Sequence, residues 1–154
     1  EFGLPDGKVY LSPILDCFDG GLAARSIGTS PNAGLANSSL EAACGKLSEG
    51  QRPVTRSDRG CHYRWPGWIA ICEKNLLVRS MSKKGCSPDN SAMEGFFGRL
   101  KNELFHHRDW SGVSIPEFCR MLDSYLRYYN EGRPKEGLGW MSPMQYRRSL
   151  GLAA

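Results

Sequence analysis

Residues 53–81, PVTRSDRGCHYRWPGWIAICEKNLLVRSM, decide the fold class of this chain. Residues 53–57 have the composition of a short strand, and the segment from Pro66 to Asn75 has the apolar spacing of a helix. Residues 76–81 form a second apolar run that is short enough for a strand. A strand, a helix and a strand in succession predict an α/β layer fold, in which helices cover a sheet.

Two strands and a helix are predicted before this stretch. Residues 9–15 and 22–27 are rich in strand formers, and the turn residues Asp19-Gly20-Gly21 separate them. For the helix that follows, Ser30 is the predicted N-cap and Pro31 the first helical residue. The antiparallel hairpin and the later strands together predict a mixed sheet.

Two longer helices are predicted after this stretch. Ser91 opens the first, in which apolar side chains recur at helical spacing as far as Leu104. Ser114, with Glu117 three residues later, has the pattern of a capping box and opens the second. With the helix before residue 53, they place helices on both faces of the sheet.

The composition is that of a soluble globular chain. Hydrophobic residues make up 40% and charged residues 23% of the 154, which excludes a disordered or collagen-like chain. This length predicts one domain, residues 1–154. No apolar run is long enough to cross a membrane, and residues 1–5 lack the features of a signal peptide. We therefore expect a cytoplasmic protein with no membrane partner.

The charge distribution and the cysteine spacing bear on the partner of the chain and on metal binding. The net charge of +4 is concentrated in residues 52–110, which carry eleven basic and six acidic side chains. This mild excess suits a polyanionic partner, but it also suits an ordinary solvated surface. The six cysteines form no C-x-x-C pair, which disfavours a zinc site. Cys17, Cys44, Cys72 and Cys119 fall in apolar segments and are expected to be reduced core residues.

Two carboxylates stand out because of where the predicted elements place them. Asp58 directly follows the strand 53–57, and Glu94 lies in the first turn of the helix that Ser91 opens. Each also has an ordinary structural interpretation. Asp58 suits a turn, and Glu94 falls three residues after Ser91, where the acid of a capping box lies.

The helix face that carries Glu94 favours a functional interpretation. Gly98 and Lys101 share this face, because positions four and seven residues further along a helix point the same way. Glycine costs a helix about 1 kcal/mol against alanine, and close approach of another backbone is one reason to keep it. An acid that holds a metal ion, beside a lysine that holds a phosphate, suits phosphoryl transfer on DNA. The alternative is a pair of exposed, solvated charges.

These residues carry a specific resemblance to a known family. Asp58, Glu94 after 35 intervening residues and Lys101 seven residues later match the D-D-35-E signature with its downstream base. Further matching motifs are Ser57 to Tyr63, Ser80 to Ser82, Lys84-Gly85, Asp89 to Phe97, Leu100 to Leu104, Tyr129-Asn130, Arg133, Leu138, Ser142-Pro143 and Tyr146. The chain thereby resembles, from about Lys8 to Arg148, the integrase-like transposases of bacterial insertion sequences. Their catalytic core is similar to that of retroviral integrases.

The resemblance implies a ribonuclease-H-like fold, with a mixed five-stranded sheet and helices on both faces. It implies that Asp58 and Glu94 are catalytic residues that bind metal, in a site for two Mg²⁺ (or Mn²⁺) ions. It implies that Lys101 contacts DNA near the cleaved end. The weaker candidates for DNA contact, in the loop before the helix, are Asn90, Lys83 and Lys84. The implied activity is that of a DDE-type transposase, which cleaves DNA strands and transfers them.

The chain differs from the family pattern in the first acid of the catalytic triad. In the family this Asp lies on the first strand of the sheet, in a segment whose end Glu1-Phe2 resembles. Asp6 lies in a Pro-Asp-Gly turn and is a poor substitute, and Asp16 is interpreted as structural. We therefore expect a truncated first strand, two of the three metal-binding acids, and an inactive fragment.

The expected partners are the insertion-sequence ends, the target DNA and at least one further copy of the chain, as a homodimer or larger assembly. Two alternatives to a transposase core remain open. A related metal-dependent nuclease would cut DNA without joining it. A non-catalytic DNA-binding or assembly module would bind DNA in a salt-dependent way and would show no metal-dependent cleavage.

Overall fold

The computed structural model describes residues 1–57, 60, 64–81 and 91–152. Its N-terminal part is an antiparallel sheet of three strands in the order β1-β2-β3, namely β1 Phe2–Leu4, β2 Gly7–Leu15 and β3 Leu22–Gly28. The predicted hairpin is confirmed, since Tyr10 pairs with Gly28 at one end of β2 and β3 and Leu15 pairs with Leu22 at the other.

The strand–helix–strand prediction for the middle of the chain is also confirmed. Helix α1 precedes it, and the elements are α1 Ala33–Cys44, β4 Val54–Ser57, α2 Pro66–Lys74 and β5 Val78–Met81. Strands β4 and β5 pair in parallel, which requires a crossover such as α2 between them. The N-cap of α1 is Asn32 and not Ser30, because the Asn32 side chain accepts the Leu35 N–H at 2.9 Å.

The five strands predicted for a mixed sheet are present, and among the described residues they group as β1-β2-β3 and β4-β5. Both the antiparallel and the parallel pairings are present, but no described residue joins β1 to β4. Strand β1 has three residues and uses one edge to pair with β2.

The C-terminal half is helical. Its elements are α3 Ser91–Leu100, a π-helical turn Lys101–Phe105, α4 Ile115–Glu131, a 3₁₀ turn Glu136–Leu138 and α5 Pro143–Ser149. Ser114 caps α4 as predicted, because its hydroxyl accepts the Glu117 N–H. Helix α5 begins with a full capping box between Ser142 and Gln145.

Helices cover both faces of the three-stranded sheet, as predicted. Along β2, alternate side chains point to opposite faces. Val9 and Leu11 belong to the main core, which also contains fully buried side chains of α3 and α4 such as Phe96 and Leu122. On the other face, the Ser12 hydroxyl lies 3.0 Å from the Ser39 hydroxyl of α1. Helices α1 and α2 share a smaller cluster of their own.

The cysteine prediction is partly wrong. Cys72 is buried and Cys44 and Cys119 are half-buried, but Cys17 is exposed beside the β2–β3 turn, where an apolar run does not imply burial. All four are free thiols, and burial raises the pKa of the Cys72 thiol. Within the described ranges, none of the helices combines the length and apolar character needed to cross a membrane.

Candidate active site

The parallel strands bring two chain positions together at one edge of their sheet. Ser57, the last residue of β4, lies opposite Met81, the last residue of β5. In the sequence, Asp58 directly follows Ser57, and the segment 82–90 directly follows Met81. The predicted site residues that lie outside the described residues are Asp58, Lys83, Lys84 and Asn90. The structure therefore places the strand ends that precede them, and their own roles stay predictions.

Glu94 lies in the first turn of α3, with an exposed side chain. Among the described residues, its carboxylate has no hydrogen-bond or ion-pair partner, and Ser91 is the first helical residue and not the N-cap. The capping-box interpretation therefore has no support from the described contacts. The partial positive charge of a helix N-terminus favours a carboxylate at this position.

Glu94 suits a divalent metal ion in kind. Carboxylate oxygens are the ligands that Mg²⁺ prefers, and Mg²⁺ takes only one or two of them from the protein. Within the described ranges, no group of three His, Cys, Asp or Glu residues could hold a metal ion. The described residues thus supply one fitting ligand, and the other predicted ligand, Asp58, lies outside them.

Lys101 follows Glu94 by seven residues and begins the π-helical turn. In a helix this places it about 20° round the axis and roughly 10 Å along it from Glu94. The pKa of the Glu1 carboxyl is lowered, mainly by its hydrogen bond from Lys8, and the charge of Lys101 adds to this effect. Lys101 therefore lies near the start of β1. A Cβ atom on Gly98 would meet no atom within 4 Å, so the face between Glu94 and Lys101 is open among the described residues.

The π-helical turn widens the helix directly after Lys101. The His106 N–H donates to the Lys101 carbonyl at 2.6 Å, five residues back, where an α-helix would use the residue four back. The Trp110 indole N–H donates to the Phe105 carbonyl at 3.0 Å and so satisfies a group at the end of this turn. Single π-helical turns of this kind are frequent at functional sites.

Glu103, inside the π-helical turn, is held by two side chains from outside it. The Arg133 Nε lies 2.9 Å from Oε2 and 3.0 Å from Oε1, and the Tyr125 hydroxyl donates to Oε2 at 2.8 Å. The hydrogen bonds from Arg133 lower the pKa of the Glu103 carboxyl against the opposing effect of burial, and the one from Tyr125 adds to them. Burial and the bond to Glu103 raise the pKa of Tyr125.

Sequence reasoning gave no role to this cluster. Glu103 and Arg133 both fall in the motifs that carry the family resemblance, but they are separated by 30 residues. No local spacing rule links an acid and a base so far apart in the chain. The one signal that could have linked Glu103 to Arg133 is that both residues belong to the family motifs.

The C-terminal motif residues hold the β2–β3 hairpin. The Asn130 side chain accepts the Leu22 N–H at 2.8 Å and donates to the Leu22 carbonyl at 2.8 Å, which continues the ladder of β3 as a strand would. The Ser142 hydroxyl donates to the Glu131 carbonyl at 2.9 Å and so ties α5 to the end of α4. Within the described structure, these two motif residues have structural roles.

The structural interpretation of Asp16 is confirmed. Its Oδ2 lies 2.7 Å from Arg147 Nη2, and its Oδ1 accepts the Phe18 N–H at 2.9 Å. The same arginine binds Asp19, whose side chain is fully buried. Asp6 lies in the turn between β1 and β2, as the Pro-Asp-Gly sequence predicts.

The chain matches known proteins over most of its length. Residues 94–150, which begin at Glu94, match the family model of the integrase core domain. Over 147 residues, 96% of its length, the chain is 37% identical to an uncharacterized transposase-like protein of Haemophilus influenzae and covers 67% of it. The chain belongs to the insertion-sequence transposases with an integrase core domain.

Other members of this transposase family are longer. The chain is 55% identical over 99% of its length to the probable transposase for the insertion sequence element IS1353 of Shigella flexneri, of which it covers 30%. It is 34% identical over 96% of its length to the putative transposase InsK for IS150 of Escherichia coli, of which it covers 51%. The chain thus spans between about a third and two thirds of these curated relatives.

Solved structures show the fold of the family. One similar structure is a chain of the simian T-cell lymphotropic virus intasome in complex with PP2A regulatory subunit B56 gamma. The match covers 99% of this chain and 53% of that one, with a TM-score of 0.80 and 18% sequence identity. The BIV integrase catalytic core gives 0.68 at 14% identity over 94% and 89% of the two chains. The dimeric HTLV-2 integrase catalytic core in complex with magnesium gives 0.66 at 16% identity over 88% and 84%. The fold is therefore ribonuclease-H-like, as the resemblance implied.

Proposed function

We propose that this chain is the catalytic core of a DDE-type DNA transposase, which cleaves DNA strands at insertion-sequence ends and transfers them to target DNA. The observation that carries the proposal is the exposed carboxylate of Glu94, which has no partner among the described residues. It lies on the helix face that Gly98 leaves open and that ends at Lys101. The transposase relatives and the family match from Glu94 onward support it.

Asp58 and Glu94 are the proposed metal ligands. The pairing of Ser57 with Met81 supports this. Asp58 is the residue after the carboxyl end of β4, and parallel α/β sheets bind their ligands at the carboxyl ends of their strands. The HTLV-2 integrase core, which shares the fold, was solved in complex with magnesium. Two bound Mg²⁺ ions would supply Lewis-acid stabilisation of the phosphate that reacts.

The cationic residues near Glu94 are the proposed DNA contacts. Lys101 lies on the same helix face as Glu94, where its ammonium group would bind a DNA phosphate close to the metal ligands. Lys83, Lys84 and Asn90, in the segment between β5 and α3, would extend this contact. We further propose that two or more copies of the chain act together on DNA, as the dimeric form of the HTLV-2 core supports.

A calorimetric titration with Mn²⁺ tests the metal site. The unmodified chain is expected to bind the ion, and Asp58→Asn and Glu94→Gln are expected to weaken binding by at least about tenfold, since even indirect changes to a metal site cost that much. Glu117→Gln is the matched control, because Glu117 is an exposed acid in the first turn of another helix. Equal binding by all four proteins would contradict the proposed ligands.

Strand transfer itself needs a separate measurement. A segment that carries the first-strand Asp implied by the resemblance would be fused before Glu1, so that all three acids of the triad are present. With a labelled duplex and Mn²⁺, products longer than the substrate are expected, and Glu94→Gln is expected to abolish them. Shorter products alone would indicate a nuclease, and binding without any product would indicate a non-catalytic module.

A further inference from the structure

We infer that Glu103 is a positioning residue for Lys101: its ion pair with Arg133 and its hydrogen bond from Tyr125 fix the π-helical turn and thereby the direction in which Lys101 meets DNA. The inference deepens the proposed function and rests on it. Glu103 itself touches no DNA in this arrangement, since both of its oxygens are occupied by Arg133 and Tyr125.

The position of Glu103 on the helix is the first step. Glu103 follows Lys101 by two residues, which is about 200° round an α-helix and somewhat less in the wider π-helical turn. The two side chains therefore leave opposite flanks of the same turn. A rotation of this turn that moved Glu103 would swing Lys101 by the same angle, so holding one side chain in place holds the other.

The support for Glu103 is rigid. Tyr125 belongs to α4, and Arg133 follows the end of that helix by two residues. Helix α4 is seated in the main core by Phe118 and Leu122, neither of which has any exposed surface. The contacts of Glu103 with Arg133 and Tyr125, called the Glu103 clamp below, therefore connect the π-helical turn to a part of the fold that packing already fixes.

The π-helical turn needs such support. The π-helical conformation is rare and occurs mostly as single turns inside α-helices, so contacts outside the turn have to favour it over the α-helix. The contact of Arg133 is bidentate, because Nε donates to Oε2 and Nη2 donates to Oε1, and this adds orientation as well as energy. Because the Arg133 side chain is 18% exposed and that of Glu103 36%, water competes with the pair only in part.

The salt dependence of DNA binding tests the inference in this chain. Fluorescence anisotropy with a short labelled duplex would give the slope of the logarithm of the binding constant against the logarithm of the salt concentration. Loss of one phosphate contact lowers that slope by about 0.9. Lys101→Ala and Glu103→Gln are each expected to lower it by about this amount, and the double variant is expected to lower it no further than Lys101→Ala alone.

Asp123→Asn is the matched control. It also removes one negative charge and breaks a carboxylate pair between α4 and another element, since Arg25 Nη2 lies 2.7 Å from Asp123 Oδ1. The general effect of one charge on DNA affinity is then the same in both variants. We expect Asp123→Asn to leave the slope unchanged.

Two results would overturn the inference, and they are distinguishable. If Lys101→Ala lowers the slope while Glu103→Gln behaves as Asp123→Asn does, Glu103 has no positioning role and the proposed function stands. If the unmodified chain shows no salt-dependent DNA binding, the proposed function fails and the inference fails with it. Should Glu103→Gln not fold, Tyr125→Phe keeps the ring and every charge, and a slope equal to that of the unmodified chain would count against the inference.

Discussion

Arg147 Nε lies 2.6 Å from Oδ2 of Asp19, a carboxylate with no exposed side-chain surface. The pair joins α5 to the turn between β2 and β3, and Arg147 Nη2 reaches Asp16 in the same turn at 2.7 Å. Oδ1 of Asp19 accepts the Gly21 N–H at 2.8 Å. A buried carboxylate is tolerated here because each of its oxygens has a donor.

Arg147→Met is expected to destabilise the chain by about 3 kcal/mol. Removing one partner of a buried ion pair leaves an uncompensated charge, and the partial exposure of Arg147 puts the effect at the low end of the usual range. Urea unfolding measures it. Arg148→Met, at the next and exposed position of α5, is the control and is expected to change the free energy of unfolding by less than about 0.5 kcal/mol. Equal effects of the two variants would show that the pair adds nothing.

The stability of the chain is expected to fall in acid through Asp19. Burial on its own raises the pKa of Asp19, but the hydrogen bonds from Arg147 and Gly21 outweigh it, so the pKa lies below its ordinary value. A group with a lowered folded-state pKa contributes stability above its unfolded pKa of about 3.9 and loses that contribution as the pH falls through the folded value. Urea midpoints between pH 7 and pH 2 should therefore drop below about pH 4. The drop should be smaller in Asp19→Asn, and an identical pH profile would contradict the assignment.

Asn130→Asp is expected to cost about 2 kcal/mol of unfolding free energy at pH 7. The substitution removes the donor to the Leu22 carbonyl and sets a carboxylate against that oxygen, while the size of the side chain is kept. Asn102→Asp is the control, because Asn102 is exposed and the same chemical change there meets water. Thermal or urea unfolding of both variants measures the difference, and a neutral Asn130→Asp would show that the bridge to β3 is not needed.

Gly98→Ala is expected to stabilise the chain by about 1 kcal/mol and to weaken its binding to DNA. Alanine favours the helix, and a methyl group at this position meets no described atom, but it would fill the face on which DNA is proposed to lie. Gly95→Ala is the control in the same helix, since its methyl group would only touch the Arg99 side chain at 3.5 Å. Unfolding and anisotropy measure the two effects, and equal DNA binding by both variants would argue against close approach at Gly98.

The elements that sequence predicted well are those whose signals are local. The strands and helix between residues 53 and 81 follow from periodicity within each segment. Ser114 caps α4 through a hydrogen bond to a residue only three positions later in the chain. The choice of Ser30 over Asn32 as the cap of α1 was wrong because both residue types cap well and only the side-chain bond to Leu35 separates them.

The relationships that sequence could not give are those between distant residues. The five predicted strands are present, but their order depends on which strand edges meet, and strand composition does not encode that choice. Sequence could relate Glu94 to Lys101, because helical spacing places both on one face, and their roles in a site stay predictions. The Glu103 clamp was missed because Arg133 meets Glu103 through the folding of α4 against α3, which no periodicity reports.

During protein synthesis, the buried Asp19 of the β2–β3 turn is made long before its partner Arg147. Asp19 and Arg147 are 128 residues apart, and Leu22 and Asn130 are 108 apart. At roughly 5–20 residues per second, the ribosome needs about 6 to 26 seconds to add the residues between Asp19 and Arg147. Until α5 leaves the exit tunnel, Asp16 and Asp19 lack Arg147, so the hairpin turn gains its ion pairs only after α5 has been made.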